Sequence, residues 1–232
     1  MAEHILECKQ LRKQYGSFTA LNDIDLQLPT GKIIGLLGPN GSGKTTLIKL
    51  SCGLLKPTAG QILVDGHEPG VESKKVVAYL PERNYLPDHM KVNQMIKFMQ
   101  DFYEDFNVDK AYEMLKHLNI DPQKTFKSLS KGNREKVQLI LVMSRDAKLY
   151  LLDEPIGGVD PASRDYILDT IIKHYNKDAS VVLSTHLIAD IEPVLNEFVF
   201  IRNGDIIRHS TVEEVKEMGL TVDALFREEF RC

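Results

Sequence analysis

Alternating hydrophobic and polar positions dominate the first part of the chain. Ile5 to Tyr15 and Ile24 to Leu28 alternate in this way, which is typical of strands with one buried face. The turn signal Pro29-Thr30-Gly31 then leads into Ile33 to Leu37, a nearly continuous apolar run that predicts a fully buried strand. The pattern therefore predicts an antiparallel β layer beside a buried strand of another sheet.

The middle of the chain changes from strand-like to helical patterning. Gln61 to Val64 and Val76 to Leu80 are short apolar segments bounded by turn signals, and Pro81 ends the second one. From about residue 84 to residue 142 the apolar positions recur with helical spacing, which predicts an inserted helical subdomain. One apolar face of this region contains Met95, Phe98, Met99 and Phe102. We interpret this face as core packing between helices, which is commoner than a docking surface.

Strand patterns return after residue 142 and alternate with helical ones. Leu149 to Leu152, Val181 to Leu183 and Phe198 to Ile201 each predict a strand, and this alternation predicts a mostly parallel sheet with crossover helices. Thr211-Val212-Glu213-Glu214 resembles a capping box, and a last helix is expected near Val222 to Phe230. The predicted fold class is α/β, with a mostly parallel sheet, an antiparallel β layer and an inserted helical subdomain.

Composition narrows the function classes. The chain has 232 residues, of which 43% are hydrophobic and 27% charged, so we expect one soluble globular domain over residues 1–232 with a short helical tail from about residue 221. The net charge of −4 without a long block of Lys or Arg argues against a nucleic-acid partner. The apolar runs are shorter than the roughly 20 residues of a membrane-spanning helix. Cys8, Cys52 and Cys232 are too far apart for a C-x-x-C metal site, and we expect no role for them.

The N-terminal residues contain no basic region followed by an apolar stretch of signal-peptide length. We therefore expect the chain to stay in the cytoplasm.

A phosphate-loop motif follows the buried strand. Gly38 to Thr45 fits the pattern G-x-x-x-x-G-K-[ST], with a strand before it and a helix pattern after it. In this setting an ordinary glycine-rich turn is a poor explanation, because backbone N–H groups and the helix N-terminus both favour a bound phosphate. Lys44 supplies a positive charge and Thr45 offers a hydroxyl to Mg²⁺. The predicted nucleotide-binding residues here are Gly38, Pro39, Asn40, Gly41, Ser42, Gly43, Lys44, Thr45 and Thr46. The motif predicts a nucleoside-triphosphate-binding protein with a phosphate-loop NTPase core.

Two carboxylates follow the predicted strand Leu149 to Leu152. Asp153 and Glu154 would lie at the C-terminal edge of a parallel sheet, where ligands bind in open α/β folds. Asp153 is expected to support Mg²⁺, and Glu154 to act as the base beside the attacking water. Alone, such a pair would be an ordinary solvated strand end, but the phosphate loop in the same chain favours the catalytic interpretation.

Further segments resemble ATP-binding cassette proteins. Leu129-Ser130-Lys131-Gly132-Asn133 resembles the signature sequence of this family, and Tyr15 stands in its adenine-stacking position. Gly158-Val159-Asp160-Pro161 resembles the D-loop, and Ser184-Thr185-His186 the switch histidine. The resemblance runs from about Ile5 to Gly219, and the chain is similar to the separately encoded ATPase subunits of bacterial transporters.

The resemblance implies ATP and Mg²⁺ as ligands and a head-to-tail dimer. Each ATP would lie between the phosphate loop of one chain and Ser130, Lys131, Gly132 and Asn133 of the other, at a helix that begins near Arg134. Asp160 would link the two sites, and His186 would contact the γ-phosphate and place the water. The dimer could be a homodimer or a pair with a related cassette.

Three positions depart from the family pattern. Glu82 stands where a glutamine is usual and would face Mg²⁺ with a carboxylate, which a hard cation accepts. Lys131 replaces a glycine and Asn133 a glutamine. None of these changes predicts an inactive site, because Lys44, Asp153, Glu154 and His186 are all present.

The leading hypothesis is an ATP-hydrolysing subunit that powers a membrane transporter. An integral membrane permease would be its partner, so the chain would lie peripherally on the cytoplasmic face of the membrane. Arg83 to Phe106 would contact a coupling helix of that permease by family resemblance. The short tail, without an added regulatory domain, favours export.

Two other hypotheses remain. One is a cassette protein that acts as a soluble ATP-driven switch, although such relatives usually carry two cassettes or a coiled-coil insertion. The other is a degenerate cassette that binds ATP and only regulates, against which Glu154 and His186 argue.

Overall fold

The computed structural model describes residues 3–231, with the backbone alone at positions 162 and 163. The strands are β1 (His4–Tyr15), β2 (Phe18–Pro29), β3 (Ile33–Leu37), β4 (Ala59–Val64), β5 (Val77–Leu80), β6 (Leu149–Asp153), β7 (Ser180–Thr185), β8 (Glu197–Arg202) and β9 (Asp205–Thr211). The helices are α1 (Lys44–Ser51), α2 (Val71–Val76), α3 (Val92–Phe102), α4 (Val108–His117), α5 (Lys131–Met143), α6 (Pro161–His174), α7 (Ile188–Ile191), α8 (Val212–Glu217) and α9 (Val222–Glu229), with 3₁₀ turns at Phe126–Ser128 and Glu192–Val194.

The core is a six-stranded sheet in the order β5-β6-β7-β3-β8-β9. The first five of these strands are parallel, and β9 alone pairs antiparallel, with β8. All five residues of β3 are buried, as are those of β6, which explains their continuous apolar sequences. Because parallel strands end at the same edge, the loops after β3, β5, β6 and β7 leave the sheet side by side.

A second sheet in the order β2-β1-β4 is antiparallel. Its alternating residues place one face inward, where Leu6 and Ile24 join Leu36 of the core sheet and Ile48 of α1 in one apolar cluster. This layer covers α1 and so supports the helix that follows the phosphate loop. The predicted fold class, an α/β protein with an antiparallel layer, is confirmed.

The helices α3, α4 and α5 lie in the segment between β5 and β6. On α3, Met95 and Met99 are buried, but Phe98 and Phe102 are 46% and 68% exposed and their ring centroids lie 4.4 Å apart. The interpretation of all four as core packing is therefore wrong for the two phenylalanines. The buried face of α3 consists of Val92, Met95, Ile96 and Met99. Phe98 and Phe102 lie beside this face on the helix surface, where they are exposed to solvent.

No helix between residues 3 and 231 is long and apolar enough to cross a membrane.

Candidate nucleotide site

The phosphate loop connects the buried strand β3 to α1. Gly43, the residue before α1, has φ of 118°, and a Cβ there would lie 2.7 Å from the Ala20 carbonyl oxygen, so only glycine fits. The Lys44 ammonium is buried and donates hydrogen bonds to the carbonyl oxygens of Gly38 (2.8 Å) and Pro39 (3.1 Å). These contacts hold a positive charge inside the loop, at the N-terminus of a helix that also favours anions.

Asp153 ends β6 beside the first turn of α1. Its Oδ1 accepts hydrogen bonds from Thr45 Oγ1 (3.0 Å) and Ser184 Oγ (2.6 Å), and the residue is only 1% exposed. Its Oδ2 is buried and has no hydrogen-bond partner among the described residues, an arrangement that costs free energy unless a cation or donor binds there.

Thr45 and Asp153 together fit Mg²⁺. The residues from 3 to 231 contain no group of three or more His, Cys, Asp or Glu side chains that could hold a metal ion. A cation beside Asp153 Oδ2 would therefore take its other ligands from phosphate oxygens and water, as Mg²⁺ commonly does in nucleotide sites.

Glu154 lies between two nitrogen-bearing side chains. Its Oε1 is 3.5 Å from Lys44 Nζ, and its two oxygens are 3.3 and 3.2 Å from Nδ1 of His186. The Glu154 N–H also bonds to the carbonyl oxygen (3.0 Å) and the hydroxyl (3.1 Å) of Ser184. The carboxylate is thus held in one place, where it can accept a proton from a neighbouring water.

Lys44, Thr45 and Glu154 line an open cavity of about 380 Å³, whose lining residues do not include Asp153 or His186. Asn40 to Thr46 form one wall, Glu82 and Glu154 contribute carboxylates, and Tyr15 and Phe18 stand at the tip of the β1–β2 hairpin. Tyr15 and Phe18 are 46% and 58% exposed, so their rings are accessible to a planar ligand. Gly38 and Pro39 do not line the cavity and contribute through their contacts with Lys44.

The signature residues lie elsewhere on the chain. Ser130 is the N-cap of α5, and its Oγ accepts a hydrogen bond from the Asn133 N–H (3.3 Å). The helix therefore begins at Lys131, three residues before the expected start near Arg134, because the Ser130 side chain caps its first turn. Lys131 is highly exposed and lies 3.8 Å from Glu135. Neither these residues nor Asp160 line the cavity.

Two residues of the site carried no prediction. Phe18 lines the cavity opposite Tyr15 across a tight turn, and a second aromatic at the hairpin tip was the available signal. Ser184 bonds to both Asp153 and Glu154; in the sequence it was named only within the segment of the switch histidine, and its signal was a hydroxyl directly after the apolar run Val181 to Leu183.

Cys52 and Tyr79 lie close to Asp153. Burial, together with the nearby Asp153 carboxylate, raises the pKa of Cys52 to about 12. The same two causes, in that order, raise the pKa of Tyr79 well above its usual range. Both groups are therefore uncharged at neutral pH. The third cysteine, Cys232, lies outside the described residues.

A larger groove, of about 890 Å³, separates α3 from the core sheet. One wall contains Met95 and the exposed pair Phe98 and Phe102, and the other contains Leu54 and Tyr79. The segment from Arg83 to Phe106, predicted to contact a partner, thus contributes to an apolar groove.

Comparison with known proteins agrees with this geometry. Residues 21–157 match the model of the ABC transporter family. The chain is 30% identical to the ABC transporter ATP-binding protein YtrB of Bacillus subtilis, over 96% of this chain and 77% of that protein. It is also 30% identical to the SkfA peptide export ATP-binding protein SkfE of the same organism, over 93% of this chain and 92% of that protein. A solved structure of an ATP-binding subunit of an ABC transporter superposes with a TM-score of 0.87 at 27% identity, covering 98% of this chain and all of the other.

Proposed function

The chain belongs to the ABC transporter family, as an ATP-binding protein, and on this premise we propose that it hydrolyses ATP to power a transporter in the membrane. The observation that carries the proposal is the Glu154 carboxylate, held within 3.5 Å of Lys44 Nζ and about 3.2 Å from His186 Nδ1. A base in this position, beside a phosphate loop, can activate a water for attack on a terminal phosphate.

Each residue has a role in this mechanism. Lys44 and the N-terminus of α1 would counter the charge of the phosphates. Thr45, Asp153 and Glu82 would hold Mg²⁺, which would supply further neutralisation of charge on the phosphate oxygens. Glu154 takes the proton of the attacking water, while His186 orients that water and contacts the γ-phosphate. The ring of Tyr15 stacks on adenine at the cavity mouth.

A second cassette completes the site in this proposal. Ser130 stands at the N-terminus of the 13-residue helix α5, where the helix dipole and free backbone N–H groups favour an anion. Because the segment is exposed and does not line the cavity of its own chain, it would serve the ATP of a partner cassette, identical or related. Asp160 would connect the two sites, and ATP would hold the closed dimer together.

The groove beside α3 is the proposed docking place for the permease. It presents exposed Phe98 and Phe102, and its lining residues also include Lys49 and Lys74. An amphipathic helix on the cytoplasmic side of a membrane protein, with an acidic residue toward these lysines, fits such a surface. The chain would then lie on the cytoplasmic face of the membrane through its permease.

Export is the direction we propose, since SkfE is a peptide export protein by name.

The test is capture of the partner with a hydrolysis-deficient chain. Glu154→Gln, loaded with ATP, is used to isolate its complexes from detergent-solubilised native membranes, and the recovered proteins are identified by mass spectrometry. We expect a polytopic membrane protein, together with a second cassette if the dimer is mixed. A matched chain that also carries Phe98→Ser and Phe102→Ser should retain ATP and lose the membrane protein, since both rings are exposed. Recovery of soluble partners or ribosomes alone would contradict the transport proposal and favour a soluble switch.

A further inference from the structure

A second cavity, of about 60 Å³, adjoins the nucleotide cavity. The two cavities share Glu82 and Glu154 and no other described residue. The second cavity is otherwise bounded by the end of β5 and the residues after it up to Asn84, by α5, by Asp153 and the loop after β6, and by Ile167 of α6. Four separate segments therefore meet behind the carboxylates that face the nucleotide cavity.

Gln138 is the buried polar residue that α5 contributes to this cavity. It is only 4% exposed and lies among apolar residues from Val137 to Val142. Its Nε2 donates a hydrogen bond to the Pro81 carbonyl oxygen (3.1 Å), and its Oε1 is buried without a hydrogen-bond partner. A helix that needed only to pack here would carry an apolar side chain, because burying an amide costs free energy. The cavity is large enough for an ordered water, which would satisfy the oxygen.

The hydrogen bond acts directly on the peptide that leads to Glu82. A peptide unit is planar, so the Pro81 carbonyl, the Glu82 nitrogen and the Glu82 Cα turn together. Proline also restricts its own φ, which leaves the 81–82 peptide few other ways to adjust. Holding the Pro81 carbonyl therefore sets the direction from which the Glu82 side chain enters the nucleotide cavity.

We infer that Gln138 is a positioning residue that directs the Glu82 carboxylate toward the place beside Thr45 and Asp153 where Mg²⁺ is proposed to bind. The inference rests on the proposed function, since it assumes that Mg²⁺ and ATP bind at this cavity. Its consequence is a link within one chain, because Gln138 and Ser130 lie on the same helix. A displacement of α5 that moves Ser130 also moves the Pro81 carbonyl, and with it Glu82.

A double-mutant cycle tests this inference. Gln138→Met keeps the length of the side chain and removes both polar atoms, and Glu82→Ala removes the carboxylate on which Gln138 is inferred to act. Both changes are made singly and together in a Glu154→Gln chain, and the affinity for ATP is measured by calorimetry with and without Mg²⁺. We expect Gln138→Met to reduce the Mg²⁺-dependent gain in affinity by about three- to tenfold, the range for one buried hydrogen bond. In the Glu82→Ala background it should cause no further loss.

A second readout does not depend on the nucleotide. Hydrogen–deuterium exchange of the segment from residue 82 to 86 should be faster in Gln138→Met than in the parent chain. Gln138→Leu provides a second variant, because its side chain also cannot donate to the Pro81 carbonyl, so its effect should match that of Gln138→Met. Ser144→Ala is the matched control: Ser144 is also buried on α5, at its C-cap, and its hydroxyl donates to Ile140 within the helix (2.7 Å).

Several results would overturn the inference. They are an equal loss with and without Mg²⁺, an equal loss in the Glu82→Ala background, or the same loss in Ser144→Ala. A failure of the proposed function would look different. The chain with Glu154 intact would then not hydrolyse ATP, while the effects of Gln138→Met and Glu82→Ala on ATP affinity would still be coupled.

Discussion

The two segments proposed to contact ATP differ in how the fold supports them. On the phosphate-loop side, Lys44 and Asp153 are 5% and 1% exposed and are bonded to their own chain. On the signature side, Ser130 and Lys131 are exposed at a helix terminus. The first side is organised by the core before a ligand arrives, whereas the second offers a helix end and depends on where that helix is placed. Variants on the first side should therefore act within one chain, and variants on the second between chains.

The largest expected effect is on turnover, at Glu154. Glu154→Gln removes the base and keeps the size of the side chain, so hydrolysis should fall by about 10²–10⁴-fold while ATP binding changes little. Phosphate release and equilibrium binding of ATP, measured on the same preparation, check this. A parallel loss of binding and turnover would mean that Glu154 organises the loop and is not the base.

Lys44→Ala should abolish most ATP binding. The variant removes a buried cation from the phosphates and leaves Glu154 without its nearest ammonium, which should reduce affinity by about 10²-fold or more. Calorimetric titration with ATP gives the value. Lys32→Ala is the control, because Lys32 is an exposed cation immediately before β3, at the other end of the strand. Equal losses in the two variants would show a general charge effect.

The signature side should fail in a different way. Ser130→Arg places a long cation at the N-terminus of α5, so hydrolysis should fall by about tenfold or more through the lost cap and anion site. ATP binding to the separate chain should be unchanged. Both are measured on the purified variant.

Mixing variants sharpens the comparison further. A mixture of Lys44→Ala and Ser130→Arg chains can form mixed dimers with one intact site, so it should hydrolyse ATP faster than either variant alone. A mixture no faster than its components would show that the two sides do not meet across a dimer.

The smallest expected effect concerns the thiol of Cys52, which is buried at the C-terminal end of α1. The folded pKa of Cys52 is raised to about 12 from 9.0, so the unfolded chain loses this proton first as the pH rises, and stability falls between pH 9 and 12. The free energy of unfolding, measured with urea, should fall between pH 8 and pH 10. This fall should be smaller by about 1 kcal/mol in Cys52→Ala than in the parent chain. Ser51→Ala, a buried neighbour without a titrating group, should keep the parent pH dependence.

The sequence predicted the parallel strands and the phosphate loop because these signals are local. A buried strand is a continuous apolar run, and the loop motif carries its own strand and helix context. By contrast, α2 (Val71–Val76) and the sheet-edge strand β9 were not predicted. The first is too short to show a period, and the second has little buried surface to impose alternation.

Tertiary contacts explain the remaining omissions. Gln138 and Pro81 are 57 positions apart, and no pattern near either residue indicates the other. The exposure of Phe98 depends on how much of α3 is covered by α4 and α5. The spacing of apolar residues along α3 does not predict this coverage. Asp153 and Glu154 lie at the end of the predicted strand, and Ser130 caps a helix that begins earlier than expected, while the roles assigned to all three stay predictions.

The backbone at Glu154 suggests a trade-off between stability and activity. Its φ of 49° is a left-handed conformation, in which a residue with a Cβ costs about 1 kcal/mol more than glycine. Glu154→Gly and Glu154→Ala both lose the carboxylate, yet the glycine variant should unfold about 2–4 °C higher than the alanine variant. Under the proposed function, a loss of selection for hydrolysis would therefore favour glycine at this position.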